Sequence, residues 1–180
     1  QFINRDKEIH TLENQFNLAS TGQSQISLIE GTAGIGKSYL LDEFTESAKQ
    51  YNCVVLKARC TEDNVIPLLP IIDCIRINID TLAEVDEVES NMLAEIYSSF
   101  SDGRNSRVDT HKLFLDLSDV LLRLSKSKLL IFILDDLHWA DETTCMFLDN
   151  FCHFIDVSEK SRIHLVLSYR TGEEEINSSN

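Results

Sequence analysis

The chain has 180 residues, 43% hydrophobic and 26% charged, which is the balance of a globular protein long enough for one domain with a sizeable core. Its 16 basic residues against 30 acidic ones leave a formal net charge of -14. Such a surface repels phosphate backbones and anionic lipid heads, so direct nucleic-acid or membrane-surface binding by this segment is not expected.

In chain order, residues 5–18 carry Ile9, Leu12 and Phe16 on one helical stripe. Residues 25–30 read as a short strand stopped by Gly31, and 37–50 as a helix with Leu40, Leu41, Phe44 and Ala48 at helical spacing. A second strand, CVVLKA over 53–58, is too apolar to have a wet face, and 63–70 is a loop holding both prolines, Pro67 and Pro70. Residues 71–100 look helical in two pieces, and SDGRNS at 101–106 is a surface loop.

A helix over 108–124 aligns Phe114, Leu117, Leu121 and Leu124. Residues 129–134, LLIFIL, form the longest apolar run and read as a buried strand. That run is far short of the roughly 20 residues of a membrane-spanning helix. A helix over 143–155, a fourth strand over 163–168 and a polar, frayed tail complete the order. Apolar runs without alternation, separated by helices, predict an α/β fold with a parallel sheet covered on both faces.

The cysteines are Cys53, Cys60, Cys74, Cys145 and Cys152, an odd number with no C-x-x-C spacing. Cys145 and Cys152 lie two helical turns apart, about 10 Å, which is too far for a disulfide. Reduced thiols in the core of a cytoplasmic protein are the expectation.

Residues 31–38, GTAGIGKS, fit the pattern G-x-x-x-x-G-K-[ST] at every fixed position, between an apolar strand and an amphipathic helix. Glycines let successive backbone N–H groups converge on phosphate oxygens, and the helix N-terminus favours an anion. Lys37 would set a compact positive charge on the β- and γ-phosphates, and the Ser38 hydroxyl would meet Mg²⁺. The expected nucleotide-binding set is Gly31, Thr32, Ala33, Gly34, Ile35, Gly36, Lys37, Ser38 and Tyr39. The plain alternative is a glycine-rich turn with no ligand, but the strand before it and the helix after it are what phosphate binding requires.

The strand at 129–134 ends in Asp135 and Asp136. Adjacent acids at the end of a buried strand need compensation, and Mg²⁺ near Ser38 would supply it at the carboxyl edge of a parallel sheet. Asp135 is expected to hold the metal. Asp136 is expected to polarise the attacking water as general base, although its short side chain limits its reach. A solvated strand end is the plain alternative for both. Asp141 reads as a helix N-cap and Trp139 as a packing residue beneath the loop, while His138 is left without a role.

Together these stretches resemble the nucleotide-binding module of STAND-type signalling ATPases, an AAA-like branch of the P-loop NTPases. The likeness covers nearly the whole chain. It is carried by FINRDKEI at 2–9, GTAGIGKS at 31–38, VIPLLPII at 65–72, LDDLHWAD at 134–141 and LVLSYR at 165–170. The resemblance implies a three-layer αβα P-loop NTPase core, ATP and Mg²⁺ as ligands, and Phe2, Ile3 and Arg5 near the adenine. Arg170 would then act catalytically as a γ-phosphate sensor, where a surface arginine is the plain alternative.

Asn4 and Thr32 depart from the family pattern, which has glycine and often glutamate there. The family's fifth strand and helical lid do not follow Arg170, so the 180 residues are expected to be one core domain, truncated after the fourth core strand. The implied function is an ATP-binding and ATP-hydrolysing regulatory module of a larger multidomain protein, with ATP or ADP, neighbouring domains and possible self-association as partners. The alternatives are a nucleotide-binding scaffold with little turnover, or a remodelling or loader ATPase.

Overall fold

The structure is a computed structural model and describes residues 5–63, 67–78, 110–158 and 160–171. Its strands are β1 Gln25–Gly31, β2 Cys53–Arg59, β3 Leu129–Asp135 and β4 Ile163–Arg170. Its helices are α1 Asp6–Ser20, α2 Lys37–Ala48, α3 Leu69–Ile77, α4 Thr110–Ser127 and α5 Glu142–Val157. The strands form one parallel sheet in the order β1-β4-β3-β2.

The apolar runs decide which strands sit in the middle. Every residue of β3 is buried, as are residues 163–168 of β4. On one face Phe16, Leu40, Leu41 and Phe44 of α1 and α2 pack on Ile131, Ile133 and Val166. On the other, Leu117, Leu121, Phe147 and Phe151 of α4 and α5 pack on Leu56, Phe132 and Leu165. This is the expected three-layer αβα arrangement. Each large apolar side chain so buried contributes about 1.5–3 kcal/mol relative to exposure.

The two outer strands differ from the expectation of double cover. In β2 buried residues alternate with half-buried ones, and in β1 half-buried residues alternate with exposed ones. The reason is position: β1 pairs only with β4 among the described residues. Its Ile26 and Leu28, beside Leu165 and Leu167, remain 47% and 60% exposed.

The helix expected from residue 71 starts earlier, at Leu69, because proline is tolerated in a first helical turn, where Pro70 stands. The second helical piece up to residue 100, the loop at 101–106 and the tail at 172–180 lie outside the described residues. The five cysteines are free thiols; Cys60 and Cys74 are buried, but Cys145 is exposed on α5 rather than in the core.

The core also holds a titratable histidine. His164, in β4, is wholly buried against Phe44, and its Nε2 lies 2.8 Å from the Ser27 hydroxyl while Nδ1 has no partner. Burial pushes its pKa from 6.5 down to about 4. A group held neutral in the fold and free to charge when unfolded gives stability that is complete above pH 6.5 and lost as pH falls toward 4. The loss is on the order of 3 kcal/mol at the ordinary 1.36 kcal/mol per pKa unit. A His164→Gln variant should flatten the urea-midpoint curve over that pH window; a slope unchanged from wild type would contradict this assignment.

Candidate functional site

A parallel sheet presents all its carboxyl ends on one edge. There Gly31 stands beside Arg170, and Arg59 beside Asp135. The glycine loop leaves β1 at this edge and enters α2 at Lys37. Gly34 and Gly36 have φ of +74° and +93°, which residues with a Cβ seldom adopt. A Cβ on Gly31 would come within 3.0 Å of the Ile35 side chain.

Gly36 is the N-cap of α2 and brings no side-chain cap, and the first turn of the helix holds no acid. Its leading N–H groups and the positive end of its dipole therefore face the loop uncompensated. Lys37 is 6% exposed and folds back, its Nζ donating to the carbonyls of Gly31 at 2.7 Å and Thr32 at 3.0 Å. Arg5 Nη2 donates to the Ile35 carbonyl, so this part of the opening stretch reaches the loop. Phe2 and Ile3 lie outside the described residues. Thr32, Ala33, Gly34, Ile35 and Tyr39 are exposed, and Gly31, Gly36 and Ser38 half-buried.

Across the edge, Asp135 is 2% exposed. Its Oδ1 accepts the hydroxyl of Ser168 and, at 3.0 Å, the N–H of Asp136. Burial alone raises the pKa of this carboxyl. Ser168, Ser38, the charge of Arg59 and the Asp136 N–H outweigh it, so the net shift is downward and Asp135 is held ionised.

Asp136 is 5% exposed and sits in the left-handed region at φ 57°, ψ 46°. Its Oδ2 accepts Arg59 Nε at 2.9 Å and Nη2 at 2.6 Å. Its Oδ1 is 3.6 Å from Arg170 Nε and 4.0 Å from His138 Nδ1. The expected base is thus gripped by arginines from the strands on both sides of β3. Sequence pattern gave no reason to single out Arg59 or Ser168: an arginine just past an apolar run looks like a surface residue, and a serine inside one looks like core.

Asp141 caps α5 as expected, accepting from Thr144 N at 2.9 Å, and it also accepts from Leu68 N at 3.3 Å. Trp139 differs from expectation. It is 37% exposed in the single turn Leu137–Trp139 and touches the His138 ring instead of packing beneath the loop.

A carboxylate and a hydroxyl are hard oxygen donors, and no three His, Cys, Asp or Glu side chains gather into a metal cluster among the described residues. That set fits Mg²⁺, which uses one or two carboxylates plus substrate phosphates rather than an all-protein cage. Among the described residues, no helix is long and apolar enough to cross a membrane.

A family profile described as AAA ATPase domain matches residues 1–166. The chain belongs to the AAA ATPase domain family. Among solved structures this AAA ATPase domain is similar to Cdc6p from Pyrobaculum aerophilum, at 13% identity and a TM-score of 0.59 over 95% of this chain and 40% of that one. At that identity the likeness speaks for the fold alone. C. elegans PCH-2 also aligns, at 6% identity and a TM-score of 0.48 over 94% of this chain and 38% of that one. The chain thus spans about two fifths of each of these proteins. No curated protein sequence matches it.

Losing a side-chain N-cap costs about 1 kcal/mol. An Asp141→Ala variant should lose at least that in a denaturant titration, since the Leu68 N–H also loses its acceptor. A midpoint equal to wild type would show the cap to be idle.

Proposed function

We propose that this AAA ATPase domain binds ATP with Mg²⁺ and hydrolyses it, as the cytoplasmic regulatory module of a larger, STAND-like multidomain protein. The observation that carries the reading is the opposition, across one sheet edge, of Lys37 and Ser38 at an uncapped helix N-terminus to the buried pair Asp135 and Asp136. Neighbouring domains and self-association on nucleotide binding are the implied means of output.

On binding, the Lys37 ammonium leaves the carbonyls of Gly31 and Thr32 for the phosphates. The backbone N–H groups opening α2 then hold the phosphate oxygens. Arg5, on the Ile35 carbonyl, borders the loop on the side expected to take the base. Ser38 and Asp135 are the residues that would hold Mg²⁺, which would supply positive charge against the charge developing on the phosphates. Asp136 accepts the proton of the attacking water, and Arg170 meets the γ-phosphate from the end of β4.

A second reading is a nucleotide-binding scaffold with little turnover. It is favoured by one observation: Arg59 and Arg170 both set positive charge against Asp136. For Asp136 to act as base, Arg59 has to release it. The -14 charge disfavours the third reading, a loader that grips nucleic acid directly.

Lys37→Ala should abolish ATP binding by calorimetry, and retained affinity would overturn the loop assignment. Asp136→Asn should keep ATP affinity while phosphate release falls by about 100-fold or more, as loss of a general base does. No phosphate release from wild type, with neighbouring domains present, would leave the scaffold reading standing instead.

A further inference from the structure

We infer that Ser168 is a positioning residue for metal–nucleotide binding, fixing both acids of the β3 terminus through a single hydroxyl. The inference rests on the magnesium–nucleotide reading above. Ser168 is wholly buried on β4, directly after the apolar run Leu165, Val166 and Leu167. A buried hydroxyl there costs free energy unless its hydrogen bonds are made. Here they are made to two functional groups and to nothing else described: the hydroxyl donates to Asp135 Oδ1 and accepts the Asp136 N–H at 3.1 Å.

A serine hydroxyl has one proton and two lone pairs. Its proton goes to the carboxylate, which defines which Asp135 oxygen is occupied. Oδ1 is taken twice, by Ser168 and by the Asp136 N–H. Oδ2 lies 4.0 Å from Arg59 Nε, and the Ser38 hydroxyl also bonds this carboxylate. With Oδ1 held twice, Oδ2 is the less engaged oxygen and the one offered to a cation beside Ser38, and the carboxylate cannot rotate to offer the other without breaking both Oδ1 bonds.

The accepted bond acts on the next residue. It ties the Asp136 N–H where the chain turns left-handed, so one hydroxyl orients the metal-binding acid and fixes the backbone of the candidate base. Residues that orient metal ligands without touching the metal commonly change metal affinity about 10–100-fold when removed.

The test is ATP binding titrated with Mg²⁺ and, separately, in chelator, using wild-type protein, Ser168→Ala and Ser168→Cys. Cysteine keeps the volume but is a weak donor, and it decides the question if the alanine variant does not fold. The expected result is a Mg²⁺ half-saturation raised about tenfold or more in the alanine variant, intermediate in the cysteine variant, with metal-free ATP affinity unchanged in both. A half-saturation within about twofold of wild type overturns the inference and leaves the nucleotide reading intact. A parallel loss of metal-free affinity overturns it too, because a merely structural serine would produce that. Absence of ATP binding by wild type in either condition overturns both readings together.

Discussion

The site depends on keeping an ionised carboxylate at the end of a strand that is buried on both faces. Asp135 follows residues 129–134, all of them out of water, and burial opposes its charge. Two hydroxyls, a backbone N–H and a nearby guanidinium reverse that opposition. Each of these groups comes from a different element: Ser168 from β4, Ser38 from α2, Asp136 from the turn and Arg59 from β2. The carboxylate therefore ties the register of the sheet to the placement of the glycine loop. A shift of one strand by one residue would move its partners to the opposite face of the sheet.

Much of this was legible in the residue order. The apolar and β-type runs locate all four strands, and the glycine, lysine and serine spacing of residues 31–38 marks the loop. What the pattern could not convey was lateral order. Nothing in CVVLKA or IHLVLS says that β4 lies between β1 and β3, yet that order brings Ser168 beside Asp135 and Arg170 beside Gly31. Arg59 is unmarked in the sequence for the same reason, since its meaning comes from Asp136 at the end of the neighbouring strand. Exposure departs from double cover at the sheet's margin: in β1 one face is open, and it carries the apolar side chains of Ile26 and Leu28. Trp139 departs from expectation because a large aromatic residue in a short turn usually packs inward, whereas here it is 37% exposed and meets the His138 ring.

Lys37 and Asp136 share a feature. Both are nearly inaccessible and both spend their charge on the protein itself, the lysine on loop carbonyls and the aspartate on guanidinium groups. Neither is orphaned, since each has its charge met by protein groups. On the nucleotide-binding reading proposed above, a ligand would exchange these partners, with a net free energy set by the difference between the two sets of contacts.

The backbone at Asp136 also constrains which acid can stand there. Among L-residues, those with a short side chain ending in a polar group next to the main chain best tolerate that conformation. Glutamate, one methylene longer, would meet a conformational penalty, and its carboxylate would overshoot the guanidinium groups that hold the aspartate. Two successive aspartates, where a longer second acid would extend further toward a solvent nucleophile, are on this account the chemistry that so tight a turn permits.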